Sequence, residues 1–358
     1  MRTVWVLTPD DAVAHWMTAP FRYLAVPLRS QLGVHVRHMP SVSLASLPDQ
    51  VLRADCDVVF VATPWQESVE HTVRAFQRIR EGRPRTKIVY LDTFDQTGSP
   101  FFSILPYVDL YVKKQLLSPL SRYENTFHGG DLQADYYHRE HGYDLGEWHF
   151  GSKLLMEYAD RLTLGWNLGT AKHLVRGLAQ SYLRRKTPWE KRDLDVHYRV
   201  GHTDEELSDW YSYHRDQWKR AMDRLGSGRR VVAAAGKSAR VPMAQFTSEM
   251  RNTRLAMSPF GWGEVTDRDF LIVGNRSLLL KPDMSHLITE PNIYQPGVTY
   301  VPLKWDTSDL EERCEEFLDQ PEKAERIARN ARTAYRRWLT GGGFVRRIRD
   351  ILQRLQDD

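Results

Sequence analysis

Residues 254–286 read RLAMSPFGWGEVTDRDFLIVGNRSLLLKPDMSH, and the order of patterns in this stretch decides the fold. The apolar run at 254–258 predicts a short strand, and the periodic segment at 267–273 predicts a helix. A second apolar run at 277–281 predicts another strand, and Gly, Pro and Asn residues separate the three elements. Strand, loop, helix and strand in this order are typical of a parallel sheet covered by helices.

The loop between the first strand and the helix has the chemistry of an anion site. Gly261 and Gly263 allow the backbone to come close to a ligand. The helix N-terminus supplies unpaired N–H groups and a partial positive charge, to which Arg268 could add a bidentate contact. Glu264 or Asp269 could accept hydrogen bonds from ribose or sugar hydroxyls. A plain helix start with a structural Arg–Asp pair would use the same residues, so local physics leaves both interpretations open.

The same alternation of apolar runs and helical periodicity continues on both sides of this stretch. Strands are predicted at 3–7, 34–38, 56–62, 87–91, 108–112, 194–199, 230–234, 254–258, 277–281 and 299–302. Helices are predicted at 68–81, 204–225, 243–252, 267–273, 308–318, 321–339 and 344–355. We therefore expect an α/β fold of two Rossmann-like domains that face each other across a cleft, with a C-terminal helix crossing back to the first domain. The expected bounds are 1–185 for the first domain, 186–340 for the second and 341–358 for the terminal helix.

The composition is that of an ordinary globular protein: of 358 residues, 41% are hydrophobic and 27% are charged. The formal net charge of +4 is too small to argue for a nucleic-acid partner on its own. Cys56 and Cys314 match no metal or redox spacing, and no run approaches the roughly 20 apolar residues of a membrane span. We therefore expect a cytoplasmic protein without a transmembrane segment, which would meet any membrane-linked acceptor from the membrane surface.

Residues 254–286 also resemble the C-terminal donor-binding motif of GT-B glycosyltransferases, in particular of exostosin-like and bacterial family-1-like members. The shared features are a Ser-Pro-Phe-Gly loop, a Gly-Glu pair, Arg-Asp-Phe on a helix, and an apolar strand that ends in Lys-Pro-Asp-Met-Ser-His. Here they are Ser258–Gly261, Gly263-Glu264, Arg268–Phe270 and Lys281–His286. Weaker similarities extend the resemblance over residues 194–340.

The resemblance implies a nucleotide sugar, with a UDP-sugar favoured, that is held by the C-terminal domain opposite an acceptor on the N-terminal domain. It implies no cofactor and no metal ion, because basic side chains and helix dipoles neutralise the leaving diphosphate in such enzymes. Glu264 and Asp269 would hold ribose or sugar hydroxyls, and Arg268 would hold the phosphates. The expected donor-binding residues are Arg199, Ser258, Phe260, Gly261, Gly263, Glu264, Arg268, Asp269, Lys281, Ser285 and His286.

One departure from the family pattern bears on the stereochemistry. Large retaining families often carry a second Glu eight residues after the first, and Ile272 stands there in this chain. We therefore expect an inverting enzyme, which needs a general base from the N-terminal domain. An Asp at a strand end also caps helices, so each candidate has a structural alternative. Candidates for the base are Asp92 and Asp95 first, then Asp10 with Asp11 and His15, and then His128; Lys113, Lys114 and His128 are weaker candidates for acceptor or phosphate contacts.

Three functions remain open on the sequence. The first is transfer of a sugar to a hydroxyl of a glycan, a lipid-linked acceptor or another polymer. The second is glucosylation of a hydroxymethylated base in duplex DNA, which the pI of about 8.9 permits and for which Arg184–Lys186 and Arg229-Arg230 are candidate phosphate contacts. The third is nucleotide binding without catalysis. An NAD-dependent oxidoreductase is disfavoured because Thr8–Asp11, and not a glycine motif, follows the first strand. The sequence does not indicate an oligomeric state.

Overall fold

The computed structural model describes residues 2–40, 42–183, 187–201, 210–225 and 228–357. The basic triplet Arg184–Lys186 and the start of the helix predicted at Asp204 lie outside these ranges. No helix within them combines the length and the apolar character that crossing a bilayer requires.

The strands in the first half of the described chain form a parallel sheet with the order β2-β1-β3-β4-β5-β7. Every residue of β3 is buried, as expected for a central strand that helices cover on both faces. The register places Val4 opposite Val58, and Phe60 opposite Val89. The strands are β1 (Arg2–Thr8), β2 (Val34–Pro40), β3 (Val58–Ala62), β4 (Lys87–Leu91), β5 (Leu110–Lys113), β6 (Gln115–Leu117) and β7 (Leu162–Leu164).

The second half forms another parallel sheet, with the order β13-β11-β10-β8-β9. Leu255 in its middle strand lies opposite Leu278 on one side and Val196 on the other. The five strands of this sheet are β8 (Leu194–Val200), β9 (Val231–Ala235), β10 (Thr253–Met257), β11 (Leu278–Pro282) and β13 (Val301–Leu303), and β12 (Leu287–Thr289) lies outside it. The two parallel sheets confirm the predicted fold class of two Rossmann-like domains.

The helices cover the two sheets with apolar stripes. In α4, Thr72, Ala75, Phe76 and Ile79 are buried at helical spacing, and Ser68 caps the first turn by accepting from the His71 N–H. The helices are α1 (Ala12–Tyr23), α2 (Ala25–Leu32), α3 (Leu47–Arg53), α4 (Val69–Gly82), α5 (Leu132–His141), α6 (Lys172–Leu183), α7 (Trp210–Arg224), α8 (Met243–Arg251), α9 (Asp267–Gly274), α10 (Leu310–Asp319), α11 (Pro321–Thr340) and α12 (Gly343–Asp357).

A strand pair and the last helix are among the features that join the halves. Strand β6 of the first half pairs antiparallel with β12 of the second, so that Leu117 lies opposite Leu287. Helix α12 crosses back, as predicted, and buries Phe344 and Ile348 in the first-domain core beside Phe21. Helix α6 precedes the boundary predicted at 185/186, yet it packs on α9 of the second half. The boundary itself stays a prediction.

Candidate functional site

The carboxyl ends of the parallel strands in both sheets bring two loops into contact. Loop 92–99 follows β4, and loop 258–264 follows β10. A Cβ atom on Gly263 would collide with the Asp95 carbonyl oxygen, so only glycine permits this approach. The Glu264 carboxylate accepts a hydrogen bond of 3.1 Å from the Thr97 N–H. We call this contact between loops 92–99 and 258–264 the interdomain seam.

Helix α9 begins directly after the seam, and its first turn is built around Asp269. Thr266 is the N-cap, and its N–H donates to Asp269 Oδ2 at 3.0 Å in a capping box. The Ser258 hydroxyl donates to Oδ1 at 2.5 Å, and the Tyr294 hydroxyl donates to Oδ2 at 2.6 Å. Lys281 completes the set as an ion pair at 3.2 Å, with both side chains 0% exposed.

Asp269 and Lys281 therefore hold the glycine loop and the start of α9 together. Burial lowers the pKa of Lys281, and the charge of Asp269 opposes that shift. Lys281 also lies over the Phe260 ring, 5.4 Å from its centroid. All the contacts of the two charged groups are within the second domain, and their predicted contacts with a ligand stay a prediction.

The surroundings of Arg268, the residue before Asp269, differ from those of the Asp269 carboxylate. The Arg268 Nη1 atom is buried without a hydrogen-bond partner, and Arg268 forms no ion pair with any carboxylate of the described residues. Arg215 of α7 lies beside it, with Nη2 3.4 Å from the place that a Cβ on Gly261 would take. Burial first, and then the charge of Arg215, lower the pKa of Arg268 to about 10. Two guanidinium groups thus meet at the glycine loop and the N-terminus of α9, where an anion would be stabilised.

The other predicted donor residues, which belong to the same domain, form hydrogen bonds and ring contacts of their own. Arg199 donates hydrogen bonds of 3.0 Å to both Glu249 oxygens, and the His197 Nε2 atom donates to the same carboxylate at 3.0 Å. Phe260 stacks on His214 and donates its N–H to the His214 Nε2 atom at 3.2 Å. The donor role of Arg199 and of Phe260 stays a prediction.

Ser285 and His286 follow β11 at the same end of the sheet. The Ser285 hydroxyl donates to Asp283 Oδ2 at 2.7 Å in an exposed turn. His286 is nearly buried, its carbonyl accepts from the Ser118 N–H at 2.9 Å, and its Nε2 atom has no hydrogen-bond partner among the described residues. Burial lowers the pKa of His286, while the Glu264 carboxylate raises it. The His286 ring therefore lies next to the seam in its neutral form, and its Nε2 atom is unpaired among the described residues.

Several buried polar atoms near the seam lack a hydrogen-bond partner in the described part of the chain. They come from both domains: Gln96 Oε1 and Nε2, Thr97 Oγ1, Asp131 Oδ2, Glu264 Oε1 and His286 Nε2. A buried polar atom without a partner costs on the order of 1–3 kcal/mol, so such atoms gathered at one place indicate a site for ligand hydroxyls or ordered water.

Asp131, the N-cap of α5, was not among the residues predicted from the sequence. Its Oδ1 atom accepts from the Gln133 and Ala134 N–H groups. Burial first, and then the Glu264 charge, raise its pKa from 3.8 to about 7. The GGD sequence before α5 predicts a helix cap, but neither its burial nor the approach of Glu264 from the other domain can be read from that sequence.

The predicted catalytic carboxylates differ in their surroundings. Asp92 is fully buried and pairs with Lys113 at 2.7 Å, and it also accepts from the Tyr111 hydroxyl at 3.1 Å. Asp95 is 27% exposed and pairs with Lys114 at 2.5 Å. Asp10 is 91% exposed and lies 3.4 Å from His15. The role of each as a base stays a prediction.

Lys113 and Lys114 anchor loop 92–99 on the end of β5. Besides its carboxylate partner, Lys113 donates to the Gly98 carbonyl at 2.8 Å, and Lys114 donates to the Thr93 carbonyl at 3.1 Å.

His128 stacks on His138 with ring centroids 3.7 Å apart. Within the residues that the structure describes, no group of three or more His, Cys, Asp or Glu side chains could hold a metal ion.

Aromatic side chains surround the seam, and this cluster was not predicted. Trp262, next to Gly263, lies 5.7 Å from Trp65 and 4.7 Å from Trp148, both of the first domain. Phe150 packs on Trp148 at 4.3 Å. These four rings are partly exposed and could stack on a planar or pyranose ligand.

No protein-family model matches the sequence, and no curated protein matches it. Solved structures do match the fold. An alpha-glucosyltransferase in complex with UDP is 8% identical, with a TM-score of 0.52 over 94% of this chain and 95% of that one. A UDP-forming α,α-trehalose-phosphate synthase from Burkholderia xenovorans is 12% identical, with a TM-score of 0.52 over 96% of this chain and 98% of that one.

A glycosyltransferase from Rickettsia africae is 9% identical, with a TM-score of 0.50, and the match covers 100% of this chain and 99% of that one. At such identities the likeness concerns the fold alone. Together with the two parallel sheets and the crossing helix α12, it shows that this chain has the two-Rossmann-domain fold of GT-B glycosyltransferases.

Proposed function

We propose that this protein transfers a sugar from a nucleotide sugar to a hydroxyl group. The observation that carries the proposal is the guanidinium of Arg268, buried and without an ion-pair partner in the described residues, beside Arg215 at the glycine loop. Two like charges at a helix N-terminus suit the diphosphate of the donor, because their repulsion is relieved when the anion binds. The same groups stabilise the charge that develops on the leaving diphosphate.

A UDP-sugar is the favoured donor. Among the structures that share the fold, one transferase holds UDP and one synthase is UDP-forming. The motif at 254–286 resembles that of exostosin-like and bacterial family-1-like enzymes, and this resemblance also favours a UDP-sugar. With the diphosphate at Arg268, the sugar points to the seam, where Glu264 Oε1 and His286 Nε2 are unpartnered and can bind its hydroxyls.

The general base comes from the first domain in this proposal, and the mechanism is inverting. Asp131 is the strongest candidate besides Asp95. Its Oδ2 atom is unpartnered, and its pKa of about 7 matches the proton affinity that a base needs at neutral pH. Asp92 is a weaker choice because Lys113 and Tyr111 already occupy its carboxylate.

The acceptor is a glycan or another polymer in the favoured proposal, because the partly exposed Trp65, Trp148 and Trp262 can stack on pyranose rings. The same rings could stack on a nucleobase, so a hydroxymethylated base in duplex DNA is the second candidate. A gel-shift titration with duplex DNA at increasing salt separates the two, since phosphate contacts weaken steeply with salt.

The test is a thermal-shift screen of UDP-, GDP- and CMP-sugars, followed by a transfer assay with the sugar that stabilises the protein. We expect Arg268→Gln to weaken donor binding about ten- to hundredfold, because it removes a charged hydrogen-bond donor. Arg220→Gln, an exposed change on α7, is the matched control and should bind like the wild type.

Three results oppose the proposal. Donor binding that is unchanged in Arg268→Gln contradicts the placement of the diphosphate, and the lack of binding by any nucleotide sugar contradicts the function. Binding without transfer or hydrolysis of the sugar under any acceptor condition would support nucleotide binding without catalysis instead.

A further inference from the structure

A cavity of about 680 Å³ lies outside the seam, between helices α6, α8 and α9 of the second domain. One wall is apolar, with Leu174 and Leu178 of α6, Phe246 of α8, and Phe270 and Leu271 of α9. Its volume is in the range of small-molecule sites, which are typically lined by apolar groups with a few polar ones at fixed places.

Three arginines line the end of this cavity where α9 finishes. Arg192 and Arg332 are 5% and 3% exposed, and Arg276 is half-buried. Among the described residues, no carboxylate forms an ion pair with any of the three, and the Nε atom of each is buried without a hydrogen-bond partner. A smaller cavity of about 220 Å³ also borders Arg192 and Arg276, and Glu325 and Arg329 line it as well.

Backbone carbonyls position these guanidinium groups but do not neutralise them. Arg192 donates to the carbonyls of Thr253 at 2.6 Å and of Arg276 at 2.9 Å, and Arg332 donates to the Ser181 hydroxyl at 2.7 Å. Burial lowers the pKa of Arg192 to about 10. The charge of Glu325 opposes this shift, and the charge of Arg276 adds to it. Burial and Arg276 also lower the pKa of Arg332. The cluster is thus held in place and short of negative charge.

We propose that this cavity is a second anion-binding site, which takes a ligand with a phosphate or diphosphate group at Arg192, Arg276 and Arg332 and an apolar body along the wall of α6, α8 and α9. Guanidinium groups bind phosphate oxygens in bidentate pairs, and three of them around one point relieve their repulsion on an anion. The apolar wall distinguishes this ligand from a free phosphate. The site is separate from the proposed donor site, because Arg268 is absent from its lining.

The test measures binding of geranyl diphosphate and of inorganic pyrophosphate to the full chain by calorimetry. We expect geranyl diphosphate to bind more tightly, and Arg276→Asn to weaken both ligands about ten- to hundredfold. Asn suits this position because Arg276 has a φ of 62°. Arg326→Gln, on the exposed side of α11 and outside the cavity, is the matched control.

Circular dichroism shows whether Arg276→Asn folds. If it does not fold, Arg332→Gln tests the same arginine cluster. The proposal is overturned if neither ligand binds the wild type, or if the folded variants keep its affinity. Equal affinity for the two ligands overturns the proposed contact between an apolar body and the wall of α6, α8 and α9. Binding abolished by Arg268→Gln places the ligand in the donor site and also overturns the proposal, whereas unaffected binding keeps it independent of the proposed function.

Discussion

Arg268 and Asp269 are neighbours in sequence, and the structure gives them opposite tasks. The Asp269 carboxylate is saturated by Ser258, Thr266, Tyr294 and Lys281. Arg268 forms no ion pair with a carboxylate of the described residues, and it lies beside the guanidinium of Arg215. Asp269 therefore shapes the loop, and Arg268 is the residue of the two that we propose for ligand binding, although the motif alone would assign both to the donor.

The buried ion pair gives a stability prediction. Replacing Lys281 by Met leaves the Asp269 charge buried without its counter-ion, which costs about 3–5 kcal/mol in the free energy of unfolding. Urea denaturation followed by circular dichroism measures the loss. Replacing the partly exposed Lys219, which pairs with Asp223 on one helix, by Met serves as the control, and a loss below about 1 kcal/mol for Lys281→Met would contradict the role of the pair.

Asp131 gives a pH prediction. Because its pKa in the folded state is raised from 3.8 to about 7, its contribution to stability is fully present below pH 3.8 and is lost as the pH rises through 7. The wild type should therefore lose stability relative to Asp131→Asn between pH 4 and 8, by at most about 4 kcal/mol. Unfolding curves of both proteins across this range measure the difference, and parallel pH profiles would show that Asp131 titrates normally.

At the scale of elements, the start of α9 combines a glycine loop, a capping box and the arginine that we propose binds the donor within a few residues. The capping box between Thr266 and Asp269 fixes the first turn of the helix. The elements that the sequence did not reveal have weaker signals. Helix α1 contains Pro20, and helix α5 is polar and aromatic with little apolar periodicity. The three-residue strands β6, β7 and β12 are too short for alternation to show.

The cap predicts a separable effect on α9. Thr266→Ala removes the side-chain half of the capping box and should lower the free energy of unfolding by about 1 kcal/mol. Donor binding should weaken in the same variant, because the helix N-terminus loses its orientation. Thr266→Ser keeps the hydroxyl and is expected to restore both thermal stability and nucleotide-sugar affinity; failure of Ser to restore them would argue against the cap.

At the scale of the whole molecule, the two domains meet through several specific contacts. Gly263 touches the Asp95 backbone, Glu264 accepts from Thr97, and β6 pairs with β12. Helix α12 ties the end of the chain to the first core. The seam therefore depends on both domains at once, and a change on one side should affect the other.

Gly263→Ala tests this dependence. The added Cβ would collide with the Asp95 carbonyl, so loop 258–264 must withdraw from the first domain. Sugar transfer should then fall about a hundredfold, since displacement by about 1 Å suffices for that. Tryptophan fluorescence should also change, because Trp262 leaves Trp65 and Trp148. Gly177→Ala, where a Cβ meets nothing within 4 Å, is the control, and a wild-type spectrum and rate for Gly263→Ala would refute the contact.

The sequence by itself determined the alternating strands, the glycine loop and the helix that begins at Asp267. These follow from apolar periodicity, glycine and capping residues, which act over a few neighbouring positions. The predicted strands are present with slightly shifted ends, because hydrogen bonds to neighbouring strands set the last residues.

Only the tertiary structure decided which charges are neutralised and which are left for a ligand. Glu264 and Thr97 are 167 positions apart, and Arg215 reaches Gly261 from another helix. Burial first, and then the charge of Glu264, raise the pKa of Asp131, and Arg192, Arg276 and Arg332 meet from separate elements. The physical reason is that desolvation and the charge of a neighbour depend on distance in space, which local patterns of residues do not contain.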